Sequence, residues 1–272
     1  MKVYGVVHLK SLPGSPSNRL SIDEIIDAAQ EDVNSLVYGG VDGIIIENFG
    51  DTPFVKDDIS KRTLASFTTV VENLSIERDI KVGINVLRND GIAALAIAEA
   101  TKSQFVRINV LNNTMFTDQG VIEGDAHGVN QFKSSLNSYV EIYADVFVKH
   151  AVPPPGSKIE NHAEELIQRA GADVVIVTGY GTGHEINIED LQKVRDISCV
   201  YYEYVDQINR RPGLTIGFIA QQVKQHMPMA VSLDVGSIPN EMRSLEDYTW
   251  VELKYDLSDN VIENKIYDES GN

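Results

Sequence analysis

The chain has 272 residues, of which 43% are hydrophobic and 23% charged, and its formal net charge is −17. That length fits one barrel of roughly 250 residues or two smaller domains, and the apolar content is enough for a sizeable core. The acidic balance excludes a nucleic-acid surface, which needs basic patches against phosphates, but a locally placed arginine or lysine still accommodates a phosphorylated small molecule. The single cysteine, Cys199, excludes an internal disulfide and a cysteine-rich zinc site. It reads as a small buried side chain and fits a reducing compartment. Met1 to His8 has no basic stretch followed by a long apolar one, and no apolar run approaches the ~20 residues of a membrane span. The expectation is a cytoplasmic protein with no membrane insertion.

Lys2 to Leu9 reads as a first strand, with His8 near its end. A loop rich in Pro and Gly follows, and Ser21 with Glu24 forms a capping box that opens an amphipathic helix to about Tyr38. Gly39-Gly40 stops that helix, and a second strand runs through Ile44-Ile-Ile-Glu47 to Asn48. The loop Phe49 to Phe54 leads to a helix through Leu64 to Leu74. A third strand (Lys81–Leu87), an Ala-rich helix (Gly91 to about Thr101) and a fourth strand (Phe105–Val110) continue the pattern. The connection Asn112 to His127 is long for a compact domain and reads either as a binding loop or as packing over a barrel end, before a short helix near Gln131. The alternating stretch Val140 to His150 is read as a fifth strand, whose second half carries Asp145, Lys149 and His150. A helix from about Asn161 to Ala170, a sixth strand (Asp173–Thr178), the glycine-rich Gly179-Tyr-Gly-Thr-Gly183 and a helix from Ile188 complete six strand–helix units by about Asp196.

Strands alternating with helices imply a parallel sheet with right-handed crossovers. The fold class is therefore α/β, an incomplete (β/α)8 barrel of six units. After Asp196 the rhythm is lost. Cys199 to Asp206 and Thr215 to Ala220 read as strands, Gln221 to His226 as a short helix, and Tyr255 to Asn272 as an acidic, exposed or poorly ordered tail, giving a small α+β segment. An open barrel edge would expose unpaired backbone, so either this segment covers it or the chain forms a homo-oligomer.

With these residues in view, positions 1–196 resemble the BtpA/SgcQ family, a (β/α)8 barrel group allied to ribulose-phosphate-binding barrels. The stretches that carry the resemblance are Gly5-Val-Val-His-Leu9, Glu47-Asn-Phe-Gly-Asp51, Gly83-Ile-Asn-Val-Leu-Arg-Asn-Asp90, Phe105-Val-Arg-Ile-Asn109, Thr117-Asp-Gln-Gly120 and Ala144-Asp-Val-Phe-Val-Lys-His150. The resemblance implies a link to photosystem I accumulation or to sugar metabolism, and no single reaction. The family's closing strands with their glycine-rich phosphate loop are absent. Instead Asp190 to Ile197, Tyr202 to Asp206, Gly217 to Lys224 and Ile238 to Arg243 resemble the S74 intramolecular chaperone domain of viral tail fibres, over about 190–272. That domain trimerises and cleaves itself at an upstream Ser-Asp-x-Arg-x-Lys motif. No such motif precedes Asp190, so no autoproteolysis is implied. The chain is read as a fusion, 1–196 barrel and 197–272 chaperone-like, joined near Ile188 to Arg195.

Polar strand ends are where a (β/α)8 barrel builds its site. Glu47 ends an Ile-Ile-Ile run, where desolvation would raise its pKa as a general acid or base requires; the rival reading pairs it with Arg88 or Arg107. Lys149 is a phosphate contact or, if burial lowers its pKa, a Schiff-base amine. Asp145 shares its face on the alternating pattern, and His150 points the other way. These four are the candidate catalytic residues. Asn48, Asn85, Arg88, Asn89, Asp90, Arg107 and Asn109 are the candidate substrate-binding residues, the asparagines suited to a sugar or polyol and the arginines to phosphate or carboxylate. His8 reads as a satisfied interior imidazole. Asp51, Asp90, Asp118, Asp145, Glu47 and Glu123 offer oxygen ligands to a hard cation such as Mg2+, although no spacing enforces it. The expected ligand is a small phosphorylated or sugar-like metabolite. A non-catalytic assembly factor and a trimerising fibre chaperone are the rival readings.

Overall fold

The computed structural model describes residues 2–77, 79–179, 181 and 186–195, and beyond them the backbone of 200–204, 215–217, 241–243, 250–256 and 261–267. The chain divides into two compact units, Met1–Val194 and Arg195–Asn272.

In the first unit the strand–helix succession is β1 (Tyr4–His8), α1 (Ile22–Tyr38), β2 (Gly43–Glu47), α2 (Lys61–Asn73), β3 (Lys81–Asn85), α3 (Gly91–Thr101) and β4 (Phe105–Ile108). It continues with β5 (Thr114–Thr117), β6 (Gly120–Glu123), α4 (Ala126–Ser135), β7 (Glu141–Asp145), β8 (Ala151–Val152), α5 (Ile159–Gln168), β9 (Val174–Ile176) and α6 (Ile188–Arg195). Six strands pair in parallel in the order β1-β2-β3-β4-β7-β9. This is the α/β architecture of an incomplete (β/α)8 barrel.

Local signals explain the helices. Ser21 caps α1 as expected: its hydroxyl accepts from the Glu24 amide, and the Glu24 carboxylate reaches back to the Ser21 amide. Ile25, Ala29 and Val33, one helical turn apart, form the buried stripe of α1. The Ala-rich α3 is buried along most of its length between α2 and α4, because small side chains let helices approach closely. Inside the barrel space is equally tight. A Cβ on Gly83 would lie 2.2 Å from the Phe105 ring, so the strand can pass that ring only as glycine.

Two readings need correction. The strand expected over Val140 to His150 ends at Asp145. The Val146 amide makes the last bond towards β9, to the Ile176 carbonyl, and the chain then turns, with His150 at φ +58°. Lys149 and His150 thus sit on a loop, and the alternation argument does not apply to them. The tail expected to be exposed or poorly ordered carries strands. In the second unit β10 (Val200–Tyr204), β11 (Thr215–Gly217), β12 (Glu241–Arg243), β13 (Trp250–Asp256) and β14 (Val261–Tyr267) form an antiparallel sheet in the order β11-β10-β12-β13-β14. Its acidic residues had hidden the alternation Trp250-Val-Glu-Leu-Lys-Tyr-Asp256. Cys199 and the helix expected at Gln221 to His226 lie outside the described residues, as does most of the Gly179 to Gly183 loop.

The long connection is a hairpin of β5 and β6, extended by β8 into a three-stranded antiparallel sheet. Met115 and Ile122 point down and join Val110 and Val148 in a small apolar cluster of their own. Phe116, between them in period, points the other way and is 47% exposed. The hairpin both packs over the barrel end and presents a face above it.

Candidate functional site

Strand register aligns the polar ends. His8, Glu47, Asn85 and Arg107 are successive neighbours across β1, β2, β3 and β4. Glu47, Asn85, Arg107, Asn109 and Asp145 are all buried. Arg107 grips Asp145 with two nitrogens, Nη2 at 3.0 and 3.1 Å and Nε at 3.2 Å. Asn109 donates to the same carboxylate at 3.1 Å and accepts from Asn85 Nδ2 at 3.2 Å. Asn85 Oδ1 is buried with no hydrogen-bond partner among the described residues. Burial disfavours charge on Arg107, but Asp145 and Glu47 more than offset it and hold the guanidinium above its ordinary value. Burial pushes the Asp145 carboxyl up, against the pull of Arg107.

Above this layer lies a cleft of about 540 Å³ whose walls include Glu47, Arg88, Asn109, Lys149 and His150. The rings of Phe49, Phe54 and Phe116 also border it. Arg88 is buried, and its Nη2 donates to the Lys149 carbonyl at 2.7 Å, tying the two cationic residues together. Among the described residues no carboxylate lies within ion-pair distance of the Lys149 ammonium, although its charge acts on Glu47 and Asp145. Asp118 also lines the cleft and its charge acts on Arg88, so the two loops bring charges of both signs together there.

Glu47 differs from its expected state. Burial alone would raise its pKa, but the hydrogen bond from His8 and the charges of Arg107, His8 and Lys149 prevail and hold it below the ordinary carboxylate range. That direction favours the ionised form, the state in which a carboxylate can take a proton. Its direct partner is neither arginine: His8 Nε2 lies 2.9 Å from Oε1. The His8 ring stacks on Phe49, centroids 4.4 Å apart and 17° from parallel. Glu47 Oε2 has no hydrogen-bond partner among the described residues.

Three of the residues expected to bind substrate spend their polar groups on the backbone or, for the Asn48 amide, on a neighbouring carboxylate. Asn48 accepts from the Leu87 amide at 2.7 Å and donates to Asp51 at 2.9 Å. Asn89 closes a two-way pair with the Val110 amide and carbonyl. Asp90 caps α3 through the Ala93 amide and also accepts from Ile59. These bonds fix the loop that carries Arg88, which in turn holds the Lys149 carbonyl. Of the carboxylates considered for Mg2+, Asp51 accepts from Leu12 and Asn48, Asp90 caps a helix and Asp145 is clamped by Arg107, while Glu47 and Asp118 both line the cleft. Among the described residues no three His, Cys, Asp or Glu side chains gather as a metal site.

Known proteins share this framework. The profile of the BtpA family matches residues 1–203. The chain belongs to the BtpA family. An uncharacterized protein of Pyrococcus abyssi is 46% identical over 198 residues, covering 73% of this chain and 75% of its own. The photosystem I biogenesis protein BtpA of Synechocystis is 43% identical over 190 residues, 70% of this chain and 66% of that protein. A mitochondrial protein of Caenorhabditis elegans retains 32% identity over 204 residues. A second profile, chaperone of endosialidase, matches residues 184–232. No helix among the described residues is long and apolar enough to cross a membrane.

Two features of this BtpA-family cleft escaped the sequence reading. His8 was visible as a strand-end imidazole, but nothing in the sequence said that register would set it against Glu47. Phe116 was hidden inside a connection whose hairpin alternation, Thr114-Met-Phe-Thr117 against Gly120-Val-Ile-Glu123, spans only four residues a side.

Proposed function

We propose that the barrel unit binds a small phosphorylated or polyhydroxylated metabolite in the cleft and moves a proton on it. Arg88 and Lys149 hold the anionic group, Asn109 offers a neutral hydrogen bond, and Phe49 and Phe116 cover the apolar faces of the ligand. Glu47 acts as the base, its ionised form being favoured and one of its oxygens having no hydrogen-bond partner among the described residues. The cation at Lys149 stabilises negative charge that develops on an adjacent oxygen. The observation that carries this reading is that a cleft of about 540 Å³, within the size range of small-molecule sites, is lined by a buried carboxylate and an ammonium without an ion-pair partner among the described residues.

The test is a melting-temperature panel of sugar phosphates. A ligand at a hundred times its dissociation constant adds ~2.7 kcal/mol to stability. The rise should disappear in Lys149→Ala, while Glu47→Gln should keep binding and lose turnover. A flat panel with wild-type protein contradicts the proposal. The name of the Synechocystis relative favours a second reading, a non-catalytic assembly role, for which a flat panel together with recovery of a stable partner by pull-down would speak. The match at residues 184–232 supports a folding-assistance or trimerisation role for the C-terminal segment, which a monomer by sedimentation would contradict.

A further inference from the structure

A base must lose the proton it gains, and the route open to Glu47 is narrow. Its side chain is 3% exposed, and a ligand in the cleft would close the one face it shows to solvent. The groups acting on it are His8, Arg107, Lys149 and Arg88. Guanidinium and ammonium groups are donors only, so none of the three cations can accept a proton. The imidazole can, and it is intrinsically more basic than a carboxylate. His8 lies on β1, at the edge of the parallel sheet, with its side chain 41% exposed, its Nε2 on Glu47 and its plane fixed by Phe49.

We infer that His8 is the proton relay between Glu47 and bulk water. The inference rests on the reading of Glu47 as the base. With its proton on Nε2 the ring donates to Oε1 and keeps Glu47 ionised with Oε2 uncommitted. When a substrate C–H bond beside a carbonyl breaks, its electron pair passes into the enolate and the proton goes to Oε2. The carboxyl then turns about Cγ–Cδ while the partly exposed ring gives its Nε2 proton to water and takes one from water on Nδ1. Nε2 next accepts the carboxyl proton and Nδ1 releases its own, so one proton reaches water in all and the Nε2–H ring is restored. His8 does not touch substrate in this scheme and is a positioning and relay residue.

The test is deuterium wash-in from D2O, followed by NMR at the C–H next to the carbonyl. The probes are dihydroxyacetone phosphate, fructose 6-phosphate and ribose 5-phosphate, with the ligand-induced rise in melting temperature measured in parallel. Wild-type protein should exchange, and Glu47→Gln should not. His8→Ala should slow exchange at least about tenfold, less than the roughly 100-fold minimum of a direct acid–base group because it acts through Glu47, with the melting-temperature rise intact. Added imidazole should restore it, which a merely structural role would not allow. Exchange at the wild-type rate in His8→Ala, a loss that imidazole does not rescue, or a probe that binds wild-type protein without exchanging would each overturn the relay. If no probe raises the melting temperature of the wild type, the binding reading itself fails and takes the relay with it.

Discussion

The two ends of the barrel interior are both lined by charged and aromatic side chains, and they use them differently. At the N-terminal end of the strands Lys81 pairs with Glu141, donates to the Tyr143 hydroxyl at 2.9 Å and lies over the rings of Phe105 and Tyr143. Phe105 and Tyr143 stack at 4.3 Å, and Tyr4 meets Phe105 edge-on. These groups satisfy one another and close that end. Burial opposes the charge on Lys81, but Glu141 and Tyr143 outweigh it and raise its pKa. At the C-terminal end the Arg107–Asp145 pair is equally self-contained, whereas Glu47, bonded to His8 through one oxygen only, and Lys149 keep capacity towards the cleft among the described residues. On the proposed function, charge as such does not mark the site; charge with capacity left beside a cleft does.

Three substitutions probe that contrast, in falling order of effect. Arg107→Met leaves Asp145 as a buried carboxylate without its partner and should cost about 3–5 kcal/mol in urea unfolding. A cost below about 1 kcal/mol would mean that the pair is not what holds the C-terminal layer together. His8→Ala removes the hydrogen bond that works against burial at Glu47, so the Glu47 pKa should rise, as read by carbon NMR titration. The sign for stability follows. A carboxyl depressed below its ordinary 4.5 contributes stability above that value, which is lost as pH falls through the folded pKa. The wild type should lose that contribution on acidification, and His8→Ala should lose less. Asp51 and Asp145, pushed up by burial, act in the opposite sense, so the site titration rather than the global curve is decisive. Lys81→Met should change stability by at most about 1 kcal/mol, because its ion pair is partly exposed, and should leave ligand binding untouched.

Much of the frame was legible in the sequence because its signals are local. The Ser21–Glu24 box, the Ile44-Ile-Ile46 run and the Ala-rich α3 each state their structure within a few residues. The polar strand ends were legible too, since a strand packed on both faces keeps its charged residues for its ends, as Glu47 and Asp145 do. What could not be read was how the polar groups are spent. Asn48, Asn89 and Asp90 look like ligand-binding residues in sequence, and they are consumed by amides of Leu87, Val110 and Ala93 that lie up to 39 positions away. The His8–Glu47 contact is likewise a product of register between β1 and β2. Lys149 was assigned to a strand because alternation continues past Asp145 in residue type after the ladder has ended.

The most direct measurement is a nitrogen–proton NMR titration of the protein with ribose 5-phosphate, comparing the two ends of the barrel. Saturable shifts are expected at Glu47, Arg88, Asn109 and Lys149, with Lys81 and Tyr143 unmoved. Shifts centred on Lys81 and Glu141, or none that saturate anywhere, would contradict a ligand site at the C-terminal end.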